Sequence, residues 1–162
     1  MFQLALYQPE IPPNTGNIIR LCANTGTPLH LIKPLGFEMD DKRLRRAGLD
    51  YSEWASVQMH DSWSAFKASL ENSSNGAGKI YAATTKATQA HSDVQYTADD
   101  IFVFGPETRG LPGDILTELG QPQCIRIPMM AHSRSLNLSN SAAIVLLEAW
   151  RQHDFAGAGN SA

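Results

Sequence analysis

Ile101-Phe102-Val103-Phe104-Gly105-Pro106-Glu107-Thr108-Arg109-Gly110-Leu111-Pro112 passes from four apolar residues straight into a polar turn rich in glycine and proline. An unbroken apolar run of that length reads as a strand buried on both faces. Pro112–Leu119 follows as a helix with its proline near the start. Ligands of open α/β sheets bind just beyond the carboxyl ends of strands, so this turn is where chemistry is expected.

The same grammar extends in both directions. Phe2–Tyr7 reads as a strand. Asn14 reads as the N-cap of a helix whose apolar positions Ile18, Leu21 and Cys22 recur at helical spacing, with Gly26 as its stop. Pro28–Ile32 and Ala55–Met59 read as strands, Asp40–Gly48 as a short basic helix and Ser62–Leu70 as a Ser-capped helix. Glu71–Gly78 reads as a surface loop. Lys79–Thr84 and Gln123–Ile127 read as strands, and Leu138–Gln152 as the last helix. Strands alternating with helices predict an α/β fold, a mostly parallel sheet with helices on both faces. Residues 1–155 form one domain on this reading, and 156–162 a disordered tail. Ala142-Ala143-Ile144-Val145-Leu146-Leu147 is apolar all round, which predicts burial on every side, either by threading through the fold or, as the favoured reading, under a second subunit in a homodimer.

Composition narrows the function. The chain has 162 residues, 43% hydrophobic and 18% charged, ordinary for one globular domain. Cys22 and Cys124 make no metal or redox motif, and the five histidines lack ligand spacing, so no metal is expected. No apolar run suits a membrane span and no signal peptide is evident, so a cytoplasmic protein is expected. The net charge of −3 argues against a broadly basic nucleic-acid coat, but Lys42, Arg43, Arg45 and Arg46 fall within five positions. No G-x-G-x-x-G follows a strand, and Gly76-Ala77-Gly78-Lys79 lacks the spacing of a phosphate loop.

Two further segments join the Gly105 turn. In Pro13-Asn14-Thr15-Gly16-Asn17-Ile18-Ile19-Arg20, the side chains of Asn17 and Arg20 share a polar helix face, behind a turn whose N–H groups suit phosphate. Ile127-Pro128-Met129-Met130 leads into Ser135-Leu136-Asn137-Leu138-Ser139-Asn140 at the entry to the last helix. Gly105 is expected to leave room for a ligand beside the backbone, so that a side chain there would block binding. Glu107 places a carboxylate where a ligand's amine or hydroxyl would sit. The turns near Thr84, Gly105 and Pro128 converge if their strands are neighbours.

Together these segments resemble the three motifs of the SPOUT methyltransferases. The resemblance covers nearly the whole chain. The short length, Pro9-Glu10-Ile11-Pro12-Pro13 and Asp40–Tyr51 resemble the TrmL (YibK-like) type. The resemblance implies a C-terminal trefoil knot, a homodimer and an S-adenosylmethionine-dependent tRNA 2′-O-methyltransferase acting on the wobble nucleotide of leucine tRNAs. By position it implies cofactor contacts at Ala83, Gly105, Glu107, Gly110, Ile127, Met129, Ser135 and Leu136. It implies a catalytic role for Arg20, with Asn137 and Arg134 as secondary candidates. Asn14, Lys42, Arg43, Arg45 and Arg46 are candidate RNA contacts. Met130-Ala131-His132 departs from the polar, proline-containing form of that loop. Methylation of rRNA, or RNA binding without catalysis on the same fold, remain alternatives.

Overall fold

The computed structural model describes residues 1–38, 56–71 and 78–159. The basic segment Lys42–Arg46 lies outside the described residues. Seven strands form one sheet: β1 (Gln3–Tyr7), β2 (Leu29–Ile32), β3 (Val57–His60), β4 (Ile80–Ala83), β5 (Gln89–Ala90), β6 (Ile101–Phe104) and β7 (Cys124–Arg126). Their order across the sheet is β3-β2-β1-β6-β4-β7-β5, and every pairing is parallel. β6 and β7, late in the chain, thus enter between strands laid down earlier. Both bring their carboxyl ends to the edge where β4 ends.

Among the described residues, four helices cover the sheet: α1 (Pro12–Thr25), α2 (Trp63–Glu71), α3 (Gly113–Leu119) and α4 (Leu138–Arg151). The period of two along β1 divides the core. Leu4 and Leu6 join Ile18 and Cys22 of α1 and Ala142, Val145 and Leu146 of α4 on one face. Ala5 joins Phe66 and Leu70 of α2 on the other, with Leu116 and Leu119 of α3 packed against that cluster. Ser62 caps α2, its Oγ accepting from the Ala65 N–H at 3.1 Å.

Several details differ from the sequence reading. α1 begins at Pro12, with Ile11 at the N-cap position and no cap from its own side chain, so Asn14 lies inside the first turn. Pro12 and Pro13 explain the early start, because their fixed φ suits the first turn and their missing N–H groups need no partner there. β5 has only two residues and gives no period to read. α4 is two-faced within the single chain, with Ala142, Val145, Leu146 and Ala149 buried while Ile144 and Leu147 are 38% and 43% exposed. The chain beyond α4 turns back, the Trp150 Nε1–H donating to the Ala156 carbonyl at 3.0 Å. Among the described residues, no helix is long and apolar enough to cross a membrane.

The far edge of the sheet holds a buried polar chain. The Gln3 Oε1 accepts from His30 Nε2 at 2.8 Å, and His30 Nδ1 meets His60 Nε2 at 2.9 Å. With Gln3 accepting, His30 Nδ1 is the acceptor for the His60 Nε2–H, and both rings are neutral. A proton on His30 would set one N–H against another. Burial, then the neighbouring His60, pushes the His30 pKa down to about 4, and burial lowers that of His60. The unfolded chain therefore binds these protons first as pH falls. Stability is full above about pH 6.5 and declines toward pH 4, by on the order of 3 kcal/mol from His30. NMR titration should find the His30 imidazole still neutral at pH 5.5, and urea unfolding should weaken over the same interval. An imidazole titrating near pH 6.5 would contradict this.

Candidate active site

A cavity of about 480 Å³ opens beyond the carboxyl ends of β4, β6 and β7. That volume lies within the range of small-molecule sites. Its walls come from the residues following the three strands, near Thr84, Gly105 and Ile127, and from Ser135–Leu138 at the entry to α4. The convergence expected from the sequence is present. Ala83, Gly105, Glu107, Gly110, Ile127, Met129, Ser135 and Leu136 all line this one cavity, as does Asn14.

A relay of side-chain hydrogen bonds holds the walls together. Pro12 and Pro13 have no N–H, so the free donors at the head of α1 are the N–H of its N-cap residue Ile11 and that of Glu10 just before it. Glu107 accepts from both, at 2.8 and 3.2 Å, and from the Asn14 Nδ2 at 3.1 Å. Its negative charge thus sits at the positive end of the α1 dipole. The Asn14 Oδ1 accepts from the Asn137 Nδ2 at 2.9 Å. The Asn137 Oδ1 in turn accepts from the backbone of Ser139 at 2.9 Å and Asn140 at 3.3 Å, capping α4. A second clasp runs the other way. Glu10 accepts from the Thr108 Oγ1 at 2.7 Å and the Arg109 Nη1 at 2.9 Å, and the Arg109 Nη2 donates to Gln8 at 2.8 Å. The Thr108 hydroxyl first, and the Arg109 charge after it, hold the Glu10 carboxyl below the usual carboxylate range.

This geometry revises several roles. Asn14 is buried, 6% exposed, with both ends of its amide engaged, so its side chain holds the cavity's walls in position. The Glu107 carboxylate turns toward α1 instead of waiting for a ligand's amine. Asn137 acts through Asn14 and α4. A Cβ at Gly105 would lie 2.2 Å from the Leu111 nitrogen and 2.3 Å from the Gly110 carbonyl carbon. Glycine is therefore needed because the turn folds back on its own backbone. Gly110 takes a left-handed φ of 69° and closes the turn with its N–H on the Pro106 carbonyl at 2.9 Å. Arg20 is exposed on α1 and does not line the cavity of its own chain, and neither does Arg134. The sequence reading missed Lys86, Arg109 and Arg126, which do line it. Lys86 sits just past Thr84, where a converging turn was expected. Among the described residues there is no group of three or more His, Cys, Asp or Glu side chains placed to hold a metal.

Residues 1–147 match the model of the SpoU rRNA Methylase family. The chain belongs to this family. A relative from Methylovorus glucosotrophus, a tRNA (cytidine(34)-2'-O)-methyltransferase, is 60% identical over 98% of this chain and 99% of its own length. A solved structure concerned with the 2-OH methylation of C/U34 on tRNA is 40% identical, with a TM-score of 0.85 over 96% of this chain and 97% of that one. The SpoU methyltransferase AviRb from Streptomyces viridochromogenes, solved in complex with AdoMet, shares the fold at 24% identity. Its TM-score is 0.79 over 95% of this chain and 58% of that one.

In this SpoU-family chain the Glu107 carboxylate supports the fold as well as the cavity. Glu107→Ala should lower unfolding free energy by about 2–3 kcal/mol, the scale of hydrogen bonds to a charged group left unmade. Urea denaturation measures this. Unchanged stability with weakened ligand binding would give Glu107 a purely ligand-facing role.

Proposed function

We propose that this chain is a cytoplasmic, S-adenosylmethionine-dependent tRNA 2′-O-methyltransferase that acts as a homodimer on the wobble ribose, position 34, of leucine tRNAs. The observation that carries the reading is a cavity walled by all three family motifs, in a chain similar over its full length to a methyltransferase of that specificity. The residues present suit the cofactor. Ile125, Ile127, Leu136, Leu138 and Val145 offer an apolar wall for a purine, and the hydroxyl-bearing Ser135 and Ser141 share the same cavity. Glu107, its one acidic lining residue, is occupied by α1. Ala83, Gly105, Ile127 and Met129 would hold the cofactor largely through backbone groups.

When bound, S-adenosylmethionine supplies an electrophilic methyl group on a sulfonium sulfur. The protein's task is to hold a ribose hydroxyl in line with that methyl and to exclude water. Alignment of two reactants can supply roughly 7–11 kcal/mol. Arg20 offers a guanidinium, a donor-only group, and so is suited to clamp phosphate and stabilise the developing oxyanion instead of acting as base. The hydroxyl proton passes to RNA phosphate or water. Arg134, in the loop before Ser135, is a candidate to orient the target nucleotide. Lys42, Arg43, Arg45 and Arg46 belong to the proposal as contacts to the tRNA backbone.

Two features support the dimer. Ile144 and Leu147 form an exposed apolar patch on α4. Arg20 also stands outside the cavity of its own chain, so a catalytic Arg20 serves the cavity of a second copy. The C-terminal knot belongs to the same reading. The chain leaves β7, beyond β4, and crosses back to Asn14 on α1 before α4 begins.

Incubation with labelled S-adenosylmethionine should methylate tRNA and leave rRNA unlabelled. Arg20→Ala should lower single-turnover methyl transfer at saturating tRNA by roughly a hundredfold or more, with cofactor affinity near normal. Label in rRNA alone would shift the assignment to rRNA, and label in neither would leave an RNA-binding module. Light scattering at micromolar concentration should give a dimer, and Leu147→Arg should weaken it. A monomeric parent chain would refute the dimer.

A further inference from the structure

The cavity's rim is cationic in a chain whose net charge is −3. Its charged lining residues are Lys86, Glu107, Arg109 and Arg126. Glu107 is turned onto α1, and Arg109 is held by Gln8 and Glu10. Among the described residues neither Lys86 nor Arg126 pairs with a carboxylate. Lys86 stands in the turn after β4 and Arg126 at the end of the neighbouring β7. Ala83 pairs with Ile125, Lys86 follows three residues after the first, and Arg126 one after the second. Arg126 is fixed by its Nε–H, which donates to the Thr88 carbonyl at 3.4 Å, and Lys86 is exposed. β4 and β7 lie on the side of β6 away from β1.

We infer that Lys86 and Arg126 form a phosphate-binding flank of the cavity that grips the RNA backbone. The inference rests on the proposed tRNA reading of the same site. An ammonium and a guanidinium, both donors only, suit an anion. Two anions could come to this cavity: a phosphodiester of the RNA and the carboxylate of the cofactor's methionine part. The rim position and the exposure of Lys86 favour the phosphodiester. Such a grip would hold the target nucleotide at the cavity.

The test compares the parent chain with Lys86→Ala, Arg126→Ala and the pair, using leucine tRNA across a range of salt and S-adenosylhomocysteine by calorimetry. The pair should weaken tRNA binding about tenfold or more and make the salt dependence shallower by roughly 1.5 in log–log slope, one phosphate for each cation. S-Adenosylhomocysteine affinity should change less than twofold. Lys86→Glu should weaken tRNA binding further, and its exposed position keeps folding out of the comparison. Unchanged tRNA affinity and slope in all variants, with the parent chain still methylating tRNA, would overturn this inference alone. A fall in S-adenosylhomocysteine affinity with the slope intact would assign the cations to the cofactor's carboxylate and overturn it too. A parent chain that neither binds nor methylates tRNA would remove the function and this flank together.

Discussion

One buried amide holds the site in register. Asn14 donates to Glu107 and accepts from Asn137, so it joins the turn after β6 to the entry of α4 through the first turn of α1. These segments are distant in sequence, 93 residues apart on one side and 123 on the other. No local propensity could bring them together. An asparagine suits the position because it offers a donor at one end and an acceptor at the other. An aspartate would set a carboxylate against Glu107, and a leucine would leave both neighbours without a partner.

The relay also arranges charge. Turning the Glu107 carboxylate onto α1 places it where two backbone N–H groups and the helix dipole favour it. It also removes the cavity's one acidic lining residue from competition with incoming phosphate. The wall is left apolar toward a ring system and cationic toward the rim. Such a site binds and aligns, as methyl transfer requires, since that reaction asks little general chemistry of the protein beyond orientation and electrostatic support.

Much of the fold was legible because buried parallel strands are nearly continuous apolar runs. Ile101–Phe104 and Leu29–Ile32 are buried throughout. The converging turns were legible because glycine and proline mark them. What escaped was everything set by non-local partners. Asn14 has the composition of an N-cap, but two prolines start the helix before it, and the cap comes from a carboxylate 96 residues later, at Ile11. Gly105 was read as making room for a ligand, but its missing Cβ admits the backbone of Gly110 and Leu111. The apolar circumference of α4 gave burial on every side, although one chain covers only part of it. Ile144 and Leu147 stay exposed among the described residues.

The most direct test of the central claim is hydrogen–deuterium exchange on Asn14→Ala. Loss of the amide should speed exchange together in residues 105–111 and 137–141, with the strand interiors of β1 and β6 unaffected. Faster exchange confined to the first turn of α1 would contradict the account. It would show that the motif turns hold their places without Asn14.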